Sequence, residues 1–395
     1  MCKRRFSALF LTLTLLLCSL PVSAAEGDDW LVPKVQEAPV FTDMAGVWCE
    51  GAVQTVCEAG LMQGRSDGSF NPSGALTGAH IVTICARLYD LLTGGNGVLP
   101  EPAADQAWYD PAYESLTEAL DYTGGLDALR INLHPDKYPI RRWQFVELLD
   151  QTLTAADVSL PAINQITVLP DTTDTAVLKL CSAGILTGSD RYGTFRGNEY
   201  LNRGQAAAIL ARLADPAQRQ SFTTEPFDLC ADVLGVDGDT LLLTVGGERV
   251  TAELFAYNLC DSLCRGDGST QAALEDAIRD WCFYDAPFQF LAEELGMRLT
   301  AEEQTETEQA GRNSAGYLGM GAAYWQYKQS GVLLNGNLRM LYWENDWKTG
   351  EAAYHQELDA VSRALLESAE PTTALTSLNL EAIKAKSENS PIYWS

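Results

Sequence analysis

Residues 57–64 read Cys-Glu-Ala-Gly-Leu-Met-Gln-Gly and residues 181–188 read Cys-Ser-Ala-Gly-Ile-Leu-Thr-Gly, so one word recurs about 124 positions later. The echo continues beyond it. Asp67-Gly68-Ser69-Phe70 is answered by Arg191-Tyr192-Gly193-Thr194-Phe195 with one inserted residue, and Ile84-Cys85-Ala86-Arg87-Leu88 by Ile209-Leu210-Ala211-Arg212-Leu213. A repeated unit of this size rarely buries its apolar face alone, so repetition predicts copies stacked around one core.

The first unit, residues 40–95, opens with Phe41-Thr42-Asp43 and predicts a helix through Trp48, Ala52, Val53, Val56 and Cys57. Gly60 ends that helix. The cluster Ser66-Asp67-Gly68-Ser69 turns the chain, and a second helix carries Ile81, Ile84, Cys85 and Leu88 on one face. The third unit, residues 167–215, repeats this plan from Asp171 through Val177, Leu180 and Gly184 to Ile209 and Leu213. A worn middle copy spans residues 104–155: Trp108-Tyr109-Asp110 opens it, Leu116 and Leu120 build its first helix, Gly124-Gly125 close that helix, and Val146, Leu148 and Leu149 belong to the second. Gly94-Gly95-Asn96-Gly97 and Pro100-Glu101-Pro102 form the linker between the first two units.

The start of the chain reads as a secretory leader, residues 1–24. Lys3-Arg4-Arg5 precede an apolar run from Ala8 to Leu20 too short to span a bilayer, then the small-residue site Val22-Ser23-Ala24. Its removal moves the formal charge from -26 to -29, and a chain this acidic repels nucleic acid and anionic lipid. Eight cysteines follow: Cys49, Cys57, Cys85, Cys181, Cys230, Cys260, Cys264 and Cys282. Cys57 and Cys181 share a repeat position and Cys85 stands where Leu210 does, which marks small buried hydrophobes. A bridge from Cys260 or Cys264 to Cys282 across a helix pair stays open. The three histidines, His80, His134 and His355, lie far apart without cysteines at zinc spacing, so no metal site is expected.

These residues carry a resemblance. Phe-x-Asp, an early Trp, a helix closed by Gly-Ile/Leu-x-x-Gly, an Asp-Gly-Thr-Phe-like turn and a Thr-Arg-Ala-Glu-like helix start together resemble the S-layer homology module, in three copies over roughly residues 40–215. The resemblance implies a helical pseudo-threefold domain that binds pyruvylated secondary cell-wall polysaccharide in grooves between modules, and so a protein held at the cell surface. A pyruvyl ketal bears a carboxylate, which a guanidinium fork is shaped to hold. The Thr-Arg-Ala-Glu arginine corresponds here to Arg142 and Arg203 but to Gly78 in the first unit, and its acidic residue is missing from all three. Two readings of each arginine stand: a polysaccharide contact, or a helix-start residue paired with a local carboxylate. Trp48, Trp108, Asp43, Asp110 and Asp171 are further candidates for the polysaccharide site. For the tryptophans core packing is the alternative, and for the aspartates helix capping.

Beyond Asp215-Pro216, residues 228–395 predict a second, mostly helical domain. Leu241 to Val245, Gly246-Gly247 and Glu248 to Val250 read as a tight hairpin, Thr251 begins a helix, Gly296 ends another, and Thr300 with Glu303 form a capping box. The stretch from Leu243 to Leu259, with Leu291 to Glu303, resembles the chaperone portion of SurA-like, parvulin-associated foldases. That resemblance implies unfolded exported polypeptides as partners, with no isomerase domain. The alternative is a surface-layer structural or assembly protein whose aromatics, such as Trp325 and Trp343, only pack. No serine-hydrolase elbow or nucleotide-binding arrangement is present, Gly316, Gly319 and Gly321 follow no strand, and Arg265-Gly266-Asp267 reads as a chance tripeptide, so neither enzymatic activity nor a cofactor is expected. The expectation is a mainly α protein: a pseudo-threefold helical domain plus a second helical domain with one short hairpin.

Overall fold

The computed structural model describes residues 30–120, 129, 135–266, 268–343 and 347–394. The leader lies outside these residues, as do Gly124, Gly125, His134 and Asp267. The fold is mainly α, and two principal apolar cores divide it into an amino-terminal and a carboxy-terminal body.

The amino-terminal body contains α1 (Glu50–Glu58), α2 (Gly78–Leu92), α3 (Asp110–Ala119), α4 (Arg142–Ala155), α5 (Thr175–Ser182) and α6 (Arg203–Ala214). The repeated word is a helix ending. Gly60 (φ 71°) and Gly184 (φ 73°) take the left-handed conformation after α1 and α5. Leu61 N–H then donates to Val56 O at 2.9 Å, and Ile185 N–H to Leu180 O at 3.0 Å. Each glycine is also covered by a preceding segment, since Val35 N–H donates to Glu58 O and Ile163 N–H to Ser182 O, both at 2.8 Å. An added Cβ would meet Val35 or Ile163 at under 3 Å, so glycine is required twice over. The structural repeat therefore begins several residues before Phe41 and Leu169.

The three second helices start from a closed ring of backbone hydrogen bonds. Leu76 N–H donates to Leu201 O (3.1 Å), Leu201 N–H to Ile140 O (3.0 Å), and Ile140 N–H to Leu76 O (2.9 Å). All three side chains are buried in one continuous core shared by α1 to α6. Each helix is capped alike: His80, Gln144 and Gln205 accept from the N–H of Thr77, Arg141 and Asn202, at 3.1, 2.8 and 3.1 Å. The missing acid of the Thr-Arg-Ala-Glu pattern is thus replaced by a neutral acceptor in the same capping bond.

The carboxy-terminal body opens with β1 (Leu241–Val245) and β2 (Glu248–Thr251), joined by Gly246 (φ 59°) and Gly247 (φ 85°) as a primed turn. Then follow α7 (Ala252–Arg265), α8 (Thr270–Asp280), α9 (Pro287–Glu294), α10 (Ala301–Ser314), α11 (Ala322–Trp343) and α12 (Trp347–Glu367). The chain returns as β3 (Glu370–Pro371), giving the order β2-β1-β3, and ends in α13 (Thr373–Thr376) and α14 (Leu380–Glu388), the latter against α7. Tyr324 and Tyr354 are buried, Trp325 stacks on Tyr317 (5.3 Å), and Trp281 stacks on Tyr327 (5.1 Å). All eight cysteines after residue 24 are unpaired, so the bridge left open between Cys260 or Cys264 and Cys282 is not formed. Burial pushes each of Cys260, Cys264 and Cys282 up, Cys260 to about 12, which leaves them as thiols.

Gly316, Gly319 and Gly321 are packing sites rather than a phosphate cradle. Leu318 N–H donates to Pro170 O at 2.7 Å, and added Cβ atoms would run into Val168, Phe227 and Glu253. The loop between α10 and α11 thereby docks onto the amino-terminal body, helped by Tyr192 against Phe227 (5.1 Å).

Asp171 is buried and accepts from Phe195 N–H (2.8 Å) and Arg196 N–H (2.6 Å), holding a turn in which Arg196 has φ 56°. Replacing Asp171 with Ala strands both donors, so urea unfolding of the full chain should show a loss of about 2–3 kcal/mol in the amino-terminal transition. An unchanged midpoint would remove this carboxylate from the list of supports.

Candidate functional site

A cleft of about 1140 Å³ lies between the first and second units. Three parts of the chain converge there. From the first unit come Arg65, His80 and Arg87; from the second comes Trp108; Arg203 arrives from the third. The linker through Val98 and Glu101 forms one wall.

Arg203 is the first residue of α6, and the hydrogen-bonded ring directs it away from its own unit. Its Nε donates to Phe70 O at 2.8 Å and an Nη to Gln63 O at 2.6 Å, with the guanidinium 4.4 Å from the Phe70 ring. Burial lowers its pKa, and Arg65 nearby adds to that depression. Arg142, first in α4, repeats the geometry one unit earlier: Nε donates to Phe195 O at 3.0 Å and the guanidinium lies 5.2 Å from the Phe195 ring. Among the described residues neither arginine is paired with a carboxylate; both bond carbonyl oxygens of the following unit. Gly78, at the arginine position of the first unit, has no side chain to offer there.

Trp108 is half-exposed, and its ring lies 5.4 Å from that of His80. Trp48 precedes α1 and is 69% exposed, so neither tryptophan is a core residue. The aspartates behave otherwise. Asp43 accepts from Phe70 N–H (2.8 Å) and Asn71 N–H (2.7 Å), as Asp171 does in the third unit. Asp110 accepts from Ala107 N–H at 2.7 Å at the start of α3. These three carboxylates satisfy backbone donors and line none of the large cleft. The Phe70 and Asn71 donors hold the Asp43 carboxyl below its usual range, whereas burial raises that of Asp171 despite the same pair of bonds.

Arg65, Arg87 and His80 were not singled out from sequence. Arg87 had a signal, since it recurs as Arg212 in the echo. Both reach back to the end of the first helix, Arg87 to Leu61 O (3.5 Å) and Arg212 to Ile185 O (3.3 Å).

Chemically, the cleft combines an exposed indole face with guanidinium groups whose charge no carboxylate neutralises within ion-pair distance among the described residues. Such a surface holds an anionic ligand and stacks on a flat apolar one.

Residues 40–81 match the family described as the S-layer homology domain. The chain carries an S-layer homology domain. The matched stretch runs from just before Asp43 through α1, the Phe70 turn and the capping box of α2, which supplies one side of the cleft. No curated protein matches the chain. A domain of this kind points to association with the cell surface or the S-layer. No helix of the described residues is long and apolar enough to cross a membrane.

His80 accepts from Thr77 N–H through Nδ1, which requires the neutral ring with its proton on Nε2. Burial, with Arg203 and Arg65 adding, lowers its pKa below the free value of about 6.5. The unfolded chain then binds the extra proton first, so stability is full above that value and falls as pH drops through the folded pKa. Thermal melts between pH 7.5 and 5 should decline less for His80→Gln, which keeps the cap as Gln144 and Gln205 do. Parallel curves for the two proteins would show that His80 does not titrate on unfolding.

Proposed function

We propose that the amino-terminal body attaches an exported protein to the cell wall by binding an acidic, pyruvylated secondary wall polysaccharide. In this reading the second and third units are further S-layer homology modules. The observation that carries it is the cleft itself: in a chain of net charge -26, Arg65, Arg87 and Arg203 converge beside Trp108, and Glu101 is the one acid lining it among the described residues. The guanidinium of Arg203 takes the ketal carboxylate and the indole takes a pyranose face. By the repeat, Arg142 serves a second groove beside Trp48. The groove left with Gly78 at the arginine position is the weak one.

The carboxy-terminal body is what this anchor presents. Trp281, Tyr324 and Tyr354 are interior, which supports the structural or assembly alternative; Tyr284 and Trp347 are among the exposed rings on which a chaperone-like role would have to rest. The protein then acts by binding rather than by catalysis.

Co-sedimentation of the chain with purified walls tests the anchor. Arg203→Ala should weaken binding about 10- to 100-fold, the worth of a charge-assisted pair. Arg142→Ala with Arg203→Ala should abolish it. Mild acid treatment of the walls, which hydrolyses ketals, should have the same effect on the unaltered protein. Equal sedimentation in all cases would refute the assignment.

A further inference from the structure

His80 has two ring nitrogens with separate surroundings. Nδ1 faces the start of α2, 3.1 Å from Thr77 N and 2.8 Å from Thr77 Oγ1. Accepting from the Thr77 N–H places the ring proton on Nε2, at the edge away from the cap. The ring lines the cleft, and among the described residues none accepts from Nε2. Gln144 and Gln205 make the same cap in the second and third units with an amide, which takes up no proton in this range. The imidazole is therefore peculiar to this cleft.

Three guanidinium groups share the cleft with the ring. Arg203 comes from α6, Arg65 from the turn of the first unit, and Arg87 from about two turns further along α2. Trp108 stands over the ring at 5.4 Å, with Tyr109 edge-on to the indole at 5.5 Å. Two carboxylates come from neighbouring segments: Glu101 on the linker wall, and Asp136 beside Pro135, whose carbonyl accepts from Ala79 N–H at 2.7 Å. Burial, Arg203 and Arg65 hold the ring below its ordinary range. An anion on Arg203 cancels that repulsion and adds an attraction of its own. The imidazolium also keeps a partner at the cap, because Nδ1–H then donates to Thr77 Oγ1.

We propose that His80 is a ligand-binding residue of this cleft: its Nε2–H donates to the anionic ligand held by Arg203, and the bound ligand draws a second proton onto Nδ1. The proposal rests on the reading that the cleft takes an anionic wall polymer. With the anion bound the ring is more basic than without it. Between those two values the complex holds a proton that the free protein lacks, so affinity rises as pH falls. Affinity and stability then move in opposite directions over the same range.

Co-sedimentation of the full chain with purified walls, titrated at pH 7.5 and at pH 5.5, should show binding about 3- to 10-fold tighter at the lower pH, the effect of a shift of up to about one unit. His80→Gln keeps the cap and should bind equally at both. Mixing the unaltered chain with walls in weak buffer near pH 6 should raise the pH, as part of a proton is taken up per bound chain. His80→Gln should take up none, and a melt at pH 7.5 matching the unaltered chain shows that its fold is kept. Binding that needs Arg203 yet is flat with pH overturns the role of His80 and leaves the wall-binding reading in place. Absence of binding at either pH removes both. A pH dependence that persists in His80→Gln and disappears in Glu101→Gln or Asp136→Asn assigns the proton to that carboxylate and also overturns the proposal.

Discussion

Three backbone hydrogen bonds, from Leu76 to Leu201, from Leu201 to Ile140 and from Ile140 to Leu76, hold the amino-terminal body in register. Each is an ordinary bond worth about 1 kcal/mol net. Their importance lies in closure: no one unit can rotate without breaking two of them. The N-cap residue of each second helix follows directly, at Thr77, Arg141 and Asn202, so the ring also sets where each helix begins. The first helical residue then points across the unit boundary. That is why Arg203 lies against Phe70 and Arg142 against Phe195, rather than along their own helices.

The same geometry explains the electrostatics of the cleft. A glutamate at the third helical position would cap the helix and also place a carboxylate beside the arginines. His80, Gln144 and Gln205 keep the cap and omit the charge. Arg203 is left bonded to carbonyl oxygens, partly desolvated, with its charge available to a ligand. In water an added anion gains little from such a group. In a partly buried cleft the lower effective dielectric and the lost hydration both raise the gain from pairing.

Much of this was legible in the residues because it rests on local chemistry with few solutions. Gly60 and Gly184 mark helix ends that need a left-handed residue, Gly246-Gly247 a primed hairpin turn, and Thr300 with Glu303 a capping box. The arginine positions were legible through the repeat. The direction of each side chain was not. Nothing in the spacing of Asp43 and Asp171 distinguishes a groove carboxylate from one that accepts two backbone N–H bonds 27 residues and 24 residues further on. Trp48 and Trp108 fit helical periodicity and were open to a core reading, but both precede their helices and stand exposed. The strand Glu370–Pro371 is too short to carry any periodicity, and its pairing with β1 is purely tertiary.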